Sequence, residues 1–398
     1  MSTVTNRIAS IGRVYYLFIL VSLLWFMIQF VRYLFPPLFG TFQSVYGVSN
    51  TETGLLFTLL MLSYAAVQFP AGVIGDRLGL SKVIFWSAIL FTGATLLVAF
   101  SPSYILIVVS AMIIGISTGP HKTVSIPLLS RQYPGHLGRV LGVMDTVGQF
   151  GGMAAPLVVV VFAGAFVWQS AFVFAAGILG LIVVLYYYEM KQRSAPETVE
   201  LTEPNSSSES SSSVRYRAAF TDRRLLTFIF VTGCYTFTWN GLSSFLPLFL
   251  TAEKGLSTGL AGALYSVLFM MSVSQVGTGE LGDRIGKLNV GVGLLLLLVI
   301  GIALLITGTS FIMIGFATVF IGLSVHGFRP VRDAYLMDLI PSGIGGGALG
   351  IIRTFMTTTG ALAPTAVGFL SDILGFSIAF TVIGATAGLA TVLTLLLR

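Results

Sequence analysis

The sequence predicts an all-α membrane protein of twelve transmembrane helices in two pseudo-symmetric six-helix bundles, and three observations predict it. Of 398 residues, 55% are hydrophobic and only 9% charged, with a mean hydropathy of +0.94. Soluble domains carry about 25% charged residues and need them to cover a wetted surface. Twelve mostly apolar segments are each long enough for a ~30 Å hydrocarbon core, which takes about 20 helical residues. The first six of these segments are echoed by the second six.

In chain order the first six spans lie near 15–38, 52–75, 82–100, 104–130, 138–163 and 167–188. The second six lie near 224–250, 258–281, 288–308, 311–339, 345–369 and 375–397. The predicted domains are therefore a bundle at 1–190, a linker at 191–223 and a second bundle at 224–398. The linker contains Ser206-Ser207-Ser208-Glu209-Ser210-Ser211-Ser212-Ser213. That composition cannot bury a core, so a mobile connection is expected there. Arg7 and Arg13 precede an apolar stretch too long for the core of a cleavable signal peptide.

Charge orients the chain. Fifteen of the 21 Lys and Arg fall at ends and loops on one side, whereas the opposite loops hold only Lys254. The positive-inside rule then places both termini and the linker in the cytoplasm, with the chain multi-pass in the cell membrane. Scattered basic residues do not form a nucleic-acid module, despite a pI near 9.5. A lone Cys234, with no Cys/His cluster, argues against a disulfide or a metal centre. No cofactor is expected.

The internal repeat has an offset of 207 residues. Gly75-Asp76-Arg77-Leu78-Gly79 recurs as Gly282-Asp283-Arg284-Ile285-Gly286, and Gly115, Lys122 and Pro134 match Gly322, Arg329 and Pro341. Ala155-Pro156 then matches Ala363-Pro364 at 208. Two six-helix halves repeated in parallel are a transporter architecture. Gly72-Val73-Ile74-Gly75-Asp76-Arg77-Leu78-Gly79-Leu80-Ser81-Lys82, between spans 2 and 3, resembles the signature loop of the major facilitator superfamily. A degenerate copy runs from Glu280 to Lys287 between spans 8 and 9. The usual basic pair is replaced by Leu80-Ser81.

The resemblance implies secondary transport by alternating access, with spans 1, 4, 7 and 10 lining a central cavity. It implies that Asp76 and Arg77, with Asp283 and Arg284 as weaker counterparts, lock the halves on the cytoplasmic side. It also sets span 2 against span 11 and span 5 against span 8. Arg353 is therefore expected to latch to Asp76, and Asp145 to Arg284; Asp145 and Arg353 occupy repeat-related positions. Asp145 could instead carry a proton.

Charged groups within a bilayer cost at least ~2.5–3.5 kcal/mol each and are functional candidates by default. Five basic residues lie within spans: Arg32, Lys122, Arg329, Arg332 and Arg353. The acids there are Asp145 and Asp333, with Glu280 and Asp338 near cytoplasmic ends. Arg32 shares a helical stripe with Ser22, Gln29, Tyr33 and Pro36. Two Arg and a Lys on cavity-lining spans form an anion site, since guanidinium groups bind carboxylate or phosphate bidentately. Gln29-Phe30-Val31-Arg32-Tyr33, followed by prolines, resembles span 1 of the superfamily's organophosphate and organic-anion branch. That branch's phosphate antiporters carry a second arginine in span 7, where this chain has Trp239 and Asn240.

Trp239, Asn240, Tyr235 and Ser243 share a face as candidate cavity lining. His326, one turn before Arg329, could couple a proton near neutral pH. Arg332 and Asp333, adjacent on a helix, point about 100° apart and are expected to need other partners. The predicted function is transport of a small organic or phosphate-bearing anion, coupled to protons or a counter-anion. The alternative is a proton-coupled drug exporter, which calls for an acid in span 1 or 4; neither span has one. No Walker loop, His-Glu-x-x-His or Gly-x-Ser-x-Gly pattern supports a primary pump or an enzyme.

Overall fold

The computed structural model describes residues 2–133, 135–192, 221–340 and 345–398, with side chains described from Tyr15 onward and, after the third gap, from Gly350. Most of the predicted linker, and Pro134 and Pro341 of the repeat, lie outside these residues. The first half comprises α1a (Ser2–Leu34), α1b (Phe39–Tyr46), α2 (Asn50–Leu78), α3 (Leu80–Ala99), α4 (Tyr104–Gln132), α5 (Leu137–Ala165) and α6 (Gln169–Gln192). The second comprises α7 (Arg223–Ala252), α8a (Thr258–Met270), α8b (Ser274–Ile285), α9 (Lys287–Thr307), α10 (Phe311–Leu339), α11 (Gly345–Leu374) and α12 (Phe376–Leu396). Among the described residues, eleven spans are long and apolar enough to cross a membrane; α11 is the remaining helix of the twelve.

Two details depart from the predicted spans. The first runs on to Tyr46, because Pro36-Pro37 opens a 3-10 turn that breaks the helix without ending it. The eighth is divided by a 3-10 turn at Met271–Val273. At 29 residues each, α4 and α10 reach about 44 Å and exceed the hydrocarbon core.

The chain forms two compact units. One holds Met1–Leu38 and Leu59–Glu200; the other holds Phe39–Thr58 and Leu201–Arg398. Their internal packing repeats as the sequence does. In the first, α1a packs on α5 and α6, while α3 packs on α4 and α6; in the second, α7 packs on α11 and α12, while α9 packs on α10 and α12. Without a hydrophobic driving force in lipid, such contacts depend on small residues that let backbones approach. A Cβ on Gly115 would lie 2.2 Å from the Leu60 carbonyl oxygen, and one on its repeat mate Gly322 2.8 Å from that of Leu268. On α5, a Cβ at Gly151 would meet the Phe26 carbonyl oxygen at 2.2 Å.

The signature loop has a direct backbone explanation. Gly79 has φ +95° and Gly286 φ +96°, a region that side chains rarely adopt. Each donates its N–H to the glycine four residues back, Gly75 and Gly282, at 3.0 Å. The two copies of the motif thus make one turn twice.

Phe39–Thr58 joins the second unit through a carboxylate cap. Asp372 accepts from the N–H groups of Asn50 at 3.0 Å and Thr51 at 2.8 Å, and from the Thr51 hydroxyl at 2.6 Å. A negative side chain here satisfies unpaired donors at the start of α2 and faces the positive end of its dipole. Replacing Asp372 by Ala is expected to cost about 0.5–2 kcal/mol, the worth of a helix cap, measured as a lower thermal midpoint. Asp372→Asn, which keeps an acceptor, should lose less.

Candidate functional site

In the first unit the site is built on α1a. Arg32 is only 7% exposed. Its Nη1 donates to the Gln29 side-chain oxygen at 3.3 Å, while its Nη2 has no hydrogen-bond partner. The guanidinium carbon lies 4.5 Å from the centre of the Tyr64 ring on α2. No carboxylate lies within ion-pair distance of Arg32 among the described residues. Its charge is therefore softened by an amide and a ring face, the latter worth about 0.5–2 kcal/mol, but not neutralised. Tyr33, the next residue round the helix, is buried.

Two turns earlier on the same stripe, Trp25 forms a second shelf. His121 stacks on it with ring centres 5.8 Å apart, and the Lys122 ammonium lies 5.1 Å from its ring centre. Gly148 on α5 leaves room for the indole: a Cβ there would come within 2.4 Å of it. Lys122 also donates to both oxygens of Asp145, at 2.9 and 3.2 Å. This corrects the expected latch. Asp145 is taken by Lys122 of its own bundle, and Arg284 by Glu280 one turn away, because both partners are within side-chain reach inside one unit. Lys122, read as a free cation for substrate, already has a counter-ion.

The second unit repeats the cation-on-aromatic device with different residues. The Arg329 guanidinium lies 5.4 Å from the centre of Trp239, and His326 packs edge-on to the same indole at 5.3 Å. Tyr235 carries Arg332 at 5.6 Å from its ring centre and donates its hydroxyl to the Val325 carbonyl. Arg332 pairs with its neighbour Asp333 at 2.7 Å, contrary to the expectation of separate partners: the long arginine side chain folds back to reach it. Asn240 is turned onto its own helix, donating to the Thr236 carbonyl at 2.9 Å. Ser243 is fully buried. Thus Trp239, His326 and Arg329 come together, while the Asn240 amide is committed to its own helix.

The loop residues Asp76, Arg77, Asp283 and Arg284 are exposed, as is Arg353. Sequence reasoning missed Trp25 and Tyr64. Trp25 was within reach, being three residues from Ser22, four from Gln29 and seven from Arg32 on one stripe. Tyr64 carries no local signal, since only the packing of α2 brings it to Arg32.

Comparison with known proteins agrees with the architecture. The Major Facilitator Superfamily profile matches residues 21–328 and 272–398. The chain is 25% identical to the "Probable sulfoacetate transporter SauU" of Cupriavidus necator, over 88% of this chain and 86% of that one. It is 24% identical to the hexuronate transporter of Bacillus subtilis, over 86% and 85%, and 25% identical to the D-galactonate transporter of Escherichia coli O6:H1, over 87% and 86%. Among solved structures, a bacterial homolog of the human lysosomal transporter Spinster superposes with a TM-score of 0.82 at 13% identity, covering 97% of both chains. A D-xylose–proton symporter superposes with 0.77 at 15% identity, covering 96% and 97%. With its twelve helices, its repeated signature loop and a profile match along nearly its whole length, the chain belongs to the Major Facilitator Superfamily and is a multi-pass membrane transporter, not an enzyme.

Proposed function

We propose that the chain carries a small organic acid anion across the cell membrane by alternating access, with Arg32 as the anion's principal contact. The observation that carries this reading is the buried, uncompensated guanidinium of Arg32. An unpaired charge in such a place costs several kcal/mol, and a carboxylate bound at its open Nη2 would repay it. The relatives named for sulfoacetate, hexuronate and galactonate support the same ligand class, because each of those compounds bears a carboxylate. A drug exporter for cations would call for the opposite charge.

Lys122 in the first bundle, and Arg329 with His326 and Trp239 in the second, are further candidate contacts. Gln29 holds Arg32 in place, and Tyr33 and Asn240 remain secondary candidates. Coupling is to protons or a counter-anion. The loops at Asp76-Arg77 and Asp283-Arg284, with Arg353, act as cytoplasmic gates, and the charge bias of the loops favours cytoplasmic termini. The test is uptake by proteoliposomes of sulfoacetate, D-galactonate and a hexuronate. Saturable uptake of at least one, inhibited by the unlabelled anion, is expected. Uptake of lipophilic cations with no uptake of anions would overturn the reading.

A further inference from the structure

Lys122 and Asp145 form an ion pair that is only partly buried, with side chains 35% and 44% exposed. It ties α4 to α5 beside the Trp25 shelf, about two helical turns along α1a from Arg32. At the position related to Asp145 by the repeat, the second half has Arg353. The second half keeps the cation of the pair, as Arg329, but puts a second cation where the acid would be, so the packing of the repeated bundle does not itself require the pair. Asp145 gives this cation site an acid that the second half lacks at the related position.

We infer that Asp145 is the proton-carrying group of the transporter, exchanging its ammonium partner for a proton when an anion binds. The inference rests on the organic-anion reading above and assigns its coupling step. Without substrate, the Lys122 ammonium is held by the Asp145 carboxylate. An incoming anion, drawn in by the Arg32 charge, competes through one of its oxygens for the same Nζ hydrogens. When it wins, Asp145 is left with no counter-charge, and one proton from water adds to the freed oxygen. A neutral carboxylic acid then remains. The balance is one anion and one proton in, with no change in site charge. Reversal on the other side of the membrane returns both.

The groups around Asp145 allow this exchange. Lys122 is the one charged side chain in contact with it among the described residues. On the helices packed against α5, α4 also carries His121, stacked on Trp25, and Arg131 near its end; α1a carries Arg32; α6 carries Glu189 and Lys191 at its end. Arg139 lies on α5 itself, in its opening turns.

The experiment is proton uptake on binding, measured in weakly buffered detergent solution with saturating sulfoacetate, D-galactonate or a hexuronate. Wild type should take up about one proton per bound anion, and its affinity should weaken as pH rises, by up to about tenfold per unit while binding takes up that proton. Asp145→Asn should bind the anion with no proton uptake and no such slope, and Asp145→Glu should restore both. If Asp145→Asn does not fold, Lys122→Gln removes the competition and should also abolish uptake at saturation. Proton uptake persisting in Asp145→Asn or Lys122→Gln, or absent from a wild type that binds anion, overturns the assignment. Failure of wild type to bind any of the three anions overturns the organic-anion reading and this step with it.

Discussion

Arg32→Gln is expected to abolish anion uptake while leaving the protein at least as stable as wild type. Loss of one member of a buried charge pair typically costs about 2–5 kcal/mol of binding, or roughly 30- to several-thousand-fold in affinity. The pair here would be Arg32 and the substrate carboxylate. In the absence of substrate, however, the guanidinium has Gln29 and the face of Tyr64 for company and, among the described residues, no acid. Removing it relieves an uncompensated charge, so the thermal midpoint without ligand should stay level or rise. A residue present to hold the bundle together would show the opposite pattern. Arg32→Lys should keep part of the affinity but lose the bidentate geometry, leaving transport well below wild type.

Arg329→Gln is expected to reduce transport by about tenfold to a thousandfold, because the second bundle then lacks the cation on its aromatic shelf. Arg329 has a different setting from Arg32: it lies over Trp239, which also packs against His326 and Phe269. The indole orients the guanidinium as well as attracting it. Trp239→Leu should therefore lower apparent affinity by a few-fold to about thirtyfold, the worth of a cation–π contact, with little change in maximal rate. Trp239→Phe should fall between. Uptake kinetics separate these effects, and equal loss of maximal rate in all three variants would mark a packing role instead.

The spans, the repeat and the turn chemistry were legible in the sequence, because hydropathy over some 20 residues decides whether a helix crosses lipid and glycine alone adopts the φ of Gly79 and Gly286. Arg32 was legible as well, since a charge in an apolar span announces itself. Rotation of the helices was not. In lipid the outward and inward faces of a span are both apolar, so periodicity leaves open which neighbour a side chain meets. Hence Tyr64 went unseen, and Asp145 was assigned to Arg284 although Lys122 of its own unit pairs with it. The Asp372 cap on Asn50 and Thr51 joins residues more than 300 positions apart. It depends on where two helix ends meet, which no local pattern records. Arg332 and Asp333 show a different limit: helical geometry separates Cβ directions, but a side chain as long as arginine can turn back across them.

The claim at the centre is that Arg32 receives an organic anion. The most direct test is a thermal-shift series on purified protein with sulfoacetate, D-galactonate, a hexuronate and lipophilic cations, run on wild type and Arg32→Gln. A ligand at 100 times its dissociation constant stabilises the folded state by about 2.7 kcal/mol, a readable shift. The predicted result is a rise in midpoint with at least one carboxylate in wild type, absent from Arg32→Gln, and no rise with the cations. An equal rise in both proteins, or a response to lipophilic cations alone, would contradict it.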